Sequence, residues 1–599
     1  MSVPVADRAG SPEWGSDVVM DMLRRLGIEY SAILPGSTFR AIHDSAVNYT
    51  ANRAPELILC NHEMITVALA RGYFRATGRP MAALLHNVVG LLNASMTIYD
   101  AWCDRAPVLV IGGTGPLDST RRRGAVDWQH TANVQGGLVR EFTKWDDQPG
   151  SVADIPESLL RAYRIAVTEP AGPVYVCFDV TLQEQRLVPP HTLPEVSRYR
   201  RAPPAEPDRN QVKQVARLLV EAEMPVCLAD RSGAHPAGVP RLVELAELLA
   251  MPVVSLGGRT SFPTPHAYDF YGEQSRLLPR ADVVLALDVL DLDGALRVRS
   301  GATTRDRGAV AAAREQTVIH VSLDELVHRG GPADYQPLPA VDVPMLVRSD
   351  VALPFIVDEC RSQIQSAARD RIERRRDWLA AQQAELRARH QQLVHARWDG
   401  PGISETRLMG EVWQAVKDFP FVFTYDHERL RHFAPGVATL SGPGVYFGYG
   451  GGAAVGAGPG VALGAALALR GSGKLPVAVL GDGEMLASVQ ALWTAAHHRI
   501  PGLWVVDNNR SYSNDEMHQR GVAVERGRPV ENRGIAVRIE DPAPDFAALA
   551  RGCGIDSIGP IKDALELSSA LSRATERAAR SETILVDVWT VPPEVAGPA

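Results

Sequence analysis

Short apolar runs alternate with amphipathic stretches along most of the chain. From Trp14 onward, DVVMDMLRRLG (17–27) has apolar residues at helical spacing and ends on a Gly suited to a C-cap. SAILPG (31–36) and LILC (57–60) are short apolar runs that predict strands. MITVALARGYFRATG (64–78) predicts a helix, MAALL (81–85) a strand, LLNASMTIYDAWCDR (91–105) a helix and VLVIGG (108–113) a strand. GPVYVCFDV (172–180) predicts the last strand of this unit. Such alternation is the mark of a parallel sheet with helices on both faces.

The Pro- and Arg-rich stretch 189–210 predicts a linker. A second α/β unit follows, with strands in PVCLAD (225–230), MPVVSL (251–256), DVVLALDVL (282–290) and VIHVSL (318–323), and a helix at 240–250. It carries no phosphate loop of its own. Residues 335–354, interrupted by Pro, predict another linker, and 361–398 a long, charged, solvated connecting helix. A third α/β unit occupies 401–599. The expected fold class is therefore α/β, with three doubly wound domains and mostly parallel sheets. Their bounds are 14–189, 208–345 and 401–599, with a linker at 355–400 and a disordered leader at 1–12.

A length of 599 residues suits three or four domains. A hydrophobic fraction of 45% with 22% charged residues suits a soluble globular protein. A net charge of −8 offers no basic footprint for nucleic acid. The six cysteines form no C-x-x-C pair, which argues against a disulfide framework or zinc site. No run of 18 apolar residues occurs, so no membrane span is expected, and the expected location is cytoplasmic.

The candidate chemistry centres on residues 481–509. LPVAVL (475–480) predicts a buried strand, Gly481-Asp482-Gly483 a tight turn, the apolar-periodic residues after it a helix, and LWVVD (503–507) a second strand that runs into Asn508-Asn509. Twenty-four residues separate the GDG from the NN. This spacing puts an Asp and an Asn at neighbouring carboxyl ends of parallel strands, where ligands of open α/β sheets bind. A carboxylate oxygen, an amide oxygen and a backbone carbonyl are hard ligands that suit Mg²⁺ with phosphates completing its shell. The glycines let the backbone approach a phosphate, and the following helix favours an anion.

This motif resembles the diphosphate-binding motif of thiamine-diphosphate (ThDP) enzymes of the 2-oxoacid decarboxylase and acetolactate synthase group. The resemblance spans roughly residues 14–590 and is specific at both ends. It implies a pyrimidine-binding domain, a middle domain and a diphosphate-binding domain, in that order. It implies Asp482, Asn509 and the main-chain oxygen of Ser511 as Mg²⁺ ligands. Gly481, Gly483, Glu484 and Tyr512 complete the expected cofactor-binding residues of this turn. Glu484 departs from the small residue usual after GDG, and its added charge must point away from the diphosphate or meet another group.

HEMITVALARGY (62–73) resembles the family stretch whose Glu hydrogen-bonds the cofactor's pyrimidine N1′, which makes Glu63 the expected catalytic carboxylate. The glycine-rich 444–468 resembles the segment beneath the cofactor. By position, Val455 wedges between the two rings and the Ala453 carbonyl accepts from the aminopyrimidine. LHNVVGLLNA (85–94) resembles benzoylformate decarboxylase, with His86 23 residues after Glu63. Ser37, in LPGST (34–38), matches that enzyme's carboxylate-binding Ser, and ALWTAA (491–496) is also shared. The family's second active-site His has no counterpart in the middle domain; His130, in DWQHT, is a substitute candidate.

The resemblance thus implies an enzyme that decarboxylates a 2-oxoacid through a ThDP enamine, releasing an aldehyde or ligating it to a second carbonyl. An acetolactate-synthase-like carboligase and a non-catalytic ThDP-binding homologue are the alternatives. A homodimer or homotetramer is expected, with each site shared between subunits. Loops near 425–435 and 510–535 are expected to set the substrate.

Overall fold

The computed structural model describes residues 10–124, 126–188, 192–257, 260–297, 316–330, 335, 337–426, 437–448 and 450–591. Residues 1–9 of the expected leader and 427–435 of the expected substrate loops lie outside the described residues. Three sheets form, and every pairing between their named strands is parallel. The α/β class read from the alternation holds.

The first sheet contains β1 (Tyr30–Ile33), β2 (Glu56–Leu59), β3 (Met81–Leu85), β4 (Val108–Thr114), β5 (Asp146–Asp147) and β6 (Val174–Asp179), in the order β2-β1-β3-β4-β6-β5. The order in which strands are added reverses between β1 and β3, which are parallel neighbours. At such a switch point the loops leaving the two strands diverge and open a crevice at their carboxyl ends, where ligands of open α/β sheets bind. The last sheet contains β12 (Phe421–Asp426), β13 (Leu475–Gly481), β14 (Gly502–Asn508), β15 (Asp556–Ile561) and β16 (Thr583–Trp589), in the order β12-β13-β14-β16-β15. Gly481 at the end of β13 pairs with Asp507 on β14, so the turns carrying Asp482 and Asn509 leave the sheet side by side.

The middle sheet corrects two expectations. It contains β7 (Pro225–Ala229), β8 (Val253–Ser255), β9 (Val283–Leu287), β10 (Thr317–Ser322) and β11 (Val343–Leu346), in the order β11-β10-β9-β7-β8. The expected linker at 335–354 therefore contains an edge strand. Pro344 is tolerated there because an edge strand has one unpaired side. The Ser349–Gln363 helix packs into the same core through Leu353, Ile356 and Val357, so the domain continues well past 345.

The charged Ser366–Trp398 helix is also docked rather than merely solvated. Ala368, Ile372, Leu379 and Leu386 enter the middle core. Arg375 is buried, with Nε 3.1 Å from the Leu249 carbonyl oxygen and Nη1 3.1 Å from that of Ala222. It thereby satisfies carbonyls left open at two helix C-termini.

The first and last units share one hydrophobic core. Ile65, Ala68 and Leu69 of the Glu63–Thr77 helix pack with Val461, Leu463 and Ala466 of the Gly458–Ala468 helix. The two backbones nearly touch. A Cβ on Gly72 would overlap the Val461 carbonyl oxygen, and one on Gly464 would overlap the Leu69 carbonyl oxygen. Gly464→Ala should gain about 1 kcal/mol of helix propensity. It must also push two backbones apart, and overpacking costs about 1–3 kcal/mol. Net destabilisation is expected, read as a lower urea midpoint; a raised midpoint would show that the helices do not meet at this position.

Candidate active site

The carboxyl ends of β1 and β3 bring together the residues expected around a substrate. His86 follows β3 and lies against Gly36, where a Cβ would overlap its ring. Its Nδ1 is 3.1 Å from the Thr38 hydroxyl, and its Nε2 is 3.1 Å from His130 Nδ1. The two imidazoles meet edge to face, with centroids 5.3 Å apart. Burial and the His130 ring push the His86 pKa below its ordinary value, so neutral imidazole is favoured. His130 is held by its own main chain, whose carbonyl accepts from the Val88 N–H at 3.2 Å.

Ser37 lies in the same crevice. Its hydroxyl donates to Asp127 Oδ1 at 2.9 Å. Asp127 is buried, and motif reading passed over it although it stands in the same DWQHT run as His130. A Ser hydroxyl has a single proton. While Asp127 holds that proton, Ser37 cannot offer it to a carboxylate.

Glu63 opens the Glu63–Thr77 helix, with His62 as N-cap. Its carboxylate is buried, and Oε2 accepts from Asn93 Nδ2 at 3.0 Å. Gly90 lies between Glu63 and His86: a Cβ there would be 3.1 Å from Glu63 Oε1 and 3.2 Å from His86 Cβ. One side of Glu63 thus adjoins the histidine pair.

The other side adjoins the last unit. A Cβ on Gly456 would lie 3.2 Å from Met64 Cε and 2.9 Å from Ala487 Cβ. The start of Glu63's helix, the Val455–Gly456 turn and the end of the Asp482–Ala487 helix therefore converge in one chain. Val455 is 48% exposed and Ala453 has φ +58.

At the ends of β13 and β14, Asp482 and Asn509 converge on one group. The Ser511 N–H lies 3.2 Å from Asp482 Oδ2 and 2.9 Å from Asn509 Oδ1. All three residues are buried. The Gly483 N–H donates to Asp482 Oδ1 at 2.8 Å, and a Cβ on Gly483 would overlap the Tyr512 ring. Ser511 is fixed in turn by its hydroxyl, which donates to Glu516 at 2.9 Å; Arg533 pairs with that Glu at 3.0 Å. A carboxylate, an amide oxygen and the intervening main chain brought this close suit a hard divalent cation. Among the described residues, no group of three His, Cys, Asp or Glu side chains is placed to hold a metal.

Glu484 has a different task from its neighbours. Its buried carboxylate accepts from the Gly458 N–H at 2.5 Å and lies 3.4 Å from the Tyr425 hydroxyl. It sits at the N-terminus of the Gly458–Ala468 helix, where a carboxylate is favoured. Its added charge thus meets another group, one of the two alternatives left open by the sequence. Burial raises its pKa, and the Gly458 and Gly456 N–H groups oppose that rise. The helix expected after the GDG turn is also interrupted. The Ser488 hydroxyl donates to the Gly456 carbonyl at 2.7 Å, and the chain bends between Asp482–Ala487 and Gln490–His498.

Comparison with known proteins accords with this geometry. Residues 13–136 match the thiamine pyrophosphate enzyme N-terminal TPP binding domain, and residues 433–588 match the C-terminal TPP binding domain. Acetolactate synthase isozyme 3 large subunit of Escherichia coli is 27% identical, covering 96% of this chain and 94% of that protein. Benzoylformate decarboxylase of Pseudomonas aeruginosa is 26% identical, covering 89% of this chain and 91% of that protein. Among solved structures, benzoylformate decarboxylase from Polynucleobacter necessarius superposes with a TM-score of 0.76 at 17% identity, over 98% of this chain and 100% of that one. The Rhodococcus jostii 4-hydroxybenzoylformate decarboxylase gives 0.73 at 20% identity, over 96% and 99%. With TPP-binding domains matched at both ends and nearly its whole length shared with such proteins, the chain belongs to the thiamine-diphosphate-dependent enzymes related to acetolactate synthase and benzoylformate decarboxylase.

Proposed function

We propose that this protein is a ThDP- and Mg²⁺-dependent enzyme that decarboxylates a 2-oxoacid, in the manner of benzoylformate decarboxylase. The observation that carries the reading is the His86–His130 pair, 3.1 Å apart, beside Glu63 at the switch point of the first sheet. When bound, the cofactor supplies the electron sink for loss of CO₂. Asp482, Asn509 and the Ser511 carbonyl would hold Mg²⁺ and, through it, the diphosphate. Glu63 would hold a proton at the pyrimidine N1′. Neutral His86 can exchange a proton with His130 through Nε2, so that the pair moves a proton to or from a substrate oxygen. Ser37 would orient the carboxylate only after its hydroxyl turns from Asp127.

Acetolactate-synthase-like ligation to a second carbonyl is the second reading, supported by a relative of that name matching 96% of this chain. Product analysis with pyruvate alone separates the two. A homo-oligomer is part of the proposal. Val89, Leu92, Met96 and Tyr99 form an exposed apolar stripe along the Val88–Cys103 helix, beside Asn93 and hence beside Glu63. A second copy seated there would close the site at a subunit boundary, as the resemblance implies. Among the described residues no helix is long and apolar enough to cross a membrane. The cytoplasmic placement is supported by six cysteines that remain free thiols.

Asp482→Ala should abolish Mg²⁺-dependent ThDP binding with the fold retained, as measured by calorimetric titration; unchanged affinity would remove the metal assignment. Glu63→Gln should bind ThDP yet lose most C2-proton exchange in the bound cofactor, and exchange at the wild-type rate would take Glu63 out of the mechanism. His86→Ala should lower turnover of the 2-oxoacid by about 10²–10⁴-fold, the usual contribution of a positioned acid–base group, with ThDP affinity nearly unchanged. Because His86 is shifted below 6.5, its neutral form persists to lower pH, and the acid limb of kcat/KM should fall below that value. Near-normal turnover with a lower melting temperature would make His86 a packing residue.

A further inference from the structure

A buried ion cluster lies behind the site, and none of its members has a role in the reading above. Arg71, on the Glu63–Thr77 helix, and Asp100, on the Val88–Cys103 helix, form an ion pair with side chains 1% and 2% exposed. Arg71 Nε also lies 2.8 Å from Asp104 Oδ2, and Arg75 Nε lies 3.6 Å from the same oxygen. Charges this deeply buried are costly unless paired and hydrogen-bonded. Here Arg71, Arg75 and Asp100 each also reach one strip of chain.

That strip is the glycine-rich run ahead of the Gly458–Ala468 helix. Arg71 Nη2 donates to the Gly450 carbonyl, and Arg75 Nη2 donates to the Phe447 carbonyl. In the opposite sense, the Gly452 N–H donates to Asp100 Oδ1 at 2.6 Å, and the Ala454 N–H also bonds Asp100. The cations thus hold carbonyls of the strip, and the carboxylate holds its amides. Gly451 has φ +93, and a Cβ there would overlap Asp100 Oδ1; Ala453 has φ +58 although it is not glycine. A residue held in the left-handed region persists only where its surroundings over-determine it. Asp100 grips the residues on either side of Ala453, and Val455 follows directly.

We propose that Asp100 and Arg71 are positioning residues for the cofactor, fixing the 450–454 strip so that the Ala453 carbonyl and the Val455 side chain are presented in one geometry. This rests on the ThDP reading of the site and adds to it residues that touch neither cofactor nor substrate. The two helices that supply the cluster are those carrying Glu63 and Asn93. The same charges therefore tie the carboxylate side of the site to the strip side.

The test uses the full chain, calorimetric titration with ThDP and Mg²⁺, and near-ultraviolet circular dichroism of the bound cofactor. Asp100→Asn keeps the shape and removes the charge. Arg71→Lys keeps the charge and loses the fork that reaches Asp100, Asp104 and Gly450 together. Each variant is expected to weaken ThDP binding by about 10–100-fold, the usual cost of removing a group that orients a ligand-binding residue, and to alter the dichroism of bound ThDP at saturation. Wild-type affinity and an unchanged spectrum, with only a lower denaturation midpoint, would overturn the proposal and leave the cluster a fold element. Loss of folding in both variants would overturn it in the same way. Should the wild-type chain itself take up no ThDP, the reading of the site fails first, an outcome distinct from either of these.

Discussion

The Glu63–Thr77 and Gly458–Ala468 helices meet so closely that only hydrogen fits between their backbones at Gly72 and Gly464. Everything proposed for the site depends on that contact. One helix begins at Glu63, and the other begins just after Val455 and Gly456. Packing them at backbone distance puts their N-terminal ends against each other. The chemistry of the first sheet and the phosphate-side turns of the last then share one cleft. Glycine inside a helix costs about 1 kcal/mol relative to alanine. The fold bears that cost because the approach lets Ala68, Leu69, Val461 and Leu463 bury one another.

The cleft this creates and the layer behind it are rich in carboxylates, and each has been given different company. Glu63 receives an amide N–H from Asn93, Glu484 the N–H of Gly458, and Asp100 the Arg71 guanidinium. Asp482 and Asn509 instead converge on the single N–H of Ser511. Burial disfavours the charged form of a carboxylate, and a nearby cation restores it. A divalent cation beside Asp482 would supply what Arg71 supplies to Asp100. It would also offset the charge of a diphosphate, which a cleft of carboxylates would otherwise repel.

How much of this was legible in the sequence depended on how far apart the interacting residues lie. β3, at Met81–Leu85, has the bounds its apolar run predicts, and the GDG and NN turns stand at neighbouring strand ends because a short βαβ unit leaves little choice. The same periodicity missed β11, whose alternate residues face solvent and whose Pro reads as a breaker. It also missed β5, two acidic residues long. The charged helix 366–398 hides its docking face because its buried apolar residues are spaced four and seven apart among arginines, with Arg375 and Gln383 filling the same face. Ser37, His86 and His130 were found by motif and do lie together. Asp127 and Asp100 were not, since their partners Ser37 and Gly452 stand 90 and 352 residues away. No local spacing encodes a contact of that span.

The outer wall of the cleft also bears on what completes it. Val455 at 48%, Leu92 at 55%, Leu486 at 42% and Tyr512 at 41% exposure are large apolar groups left in water around a site whose charged groups are buried. Single exposed hydrophobes need no explanation, but a concentration of them marks a surface that is covered in use. A bound cofactor can cover the Val455 and Tyr512 side. It does not reach along the whole Val88–Cys103 helix, where Met96 and Tyr99 continue the stripe away from Glu63. That portion is better suited to a second protein surface. Sealing it would lower the dielectric around His86 and Glu63, strengthening the interactions on which proton transfer depends. Assembly and catalysis would then be coupled through the same helix that carries Asn93 and Asp100.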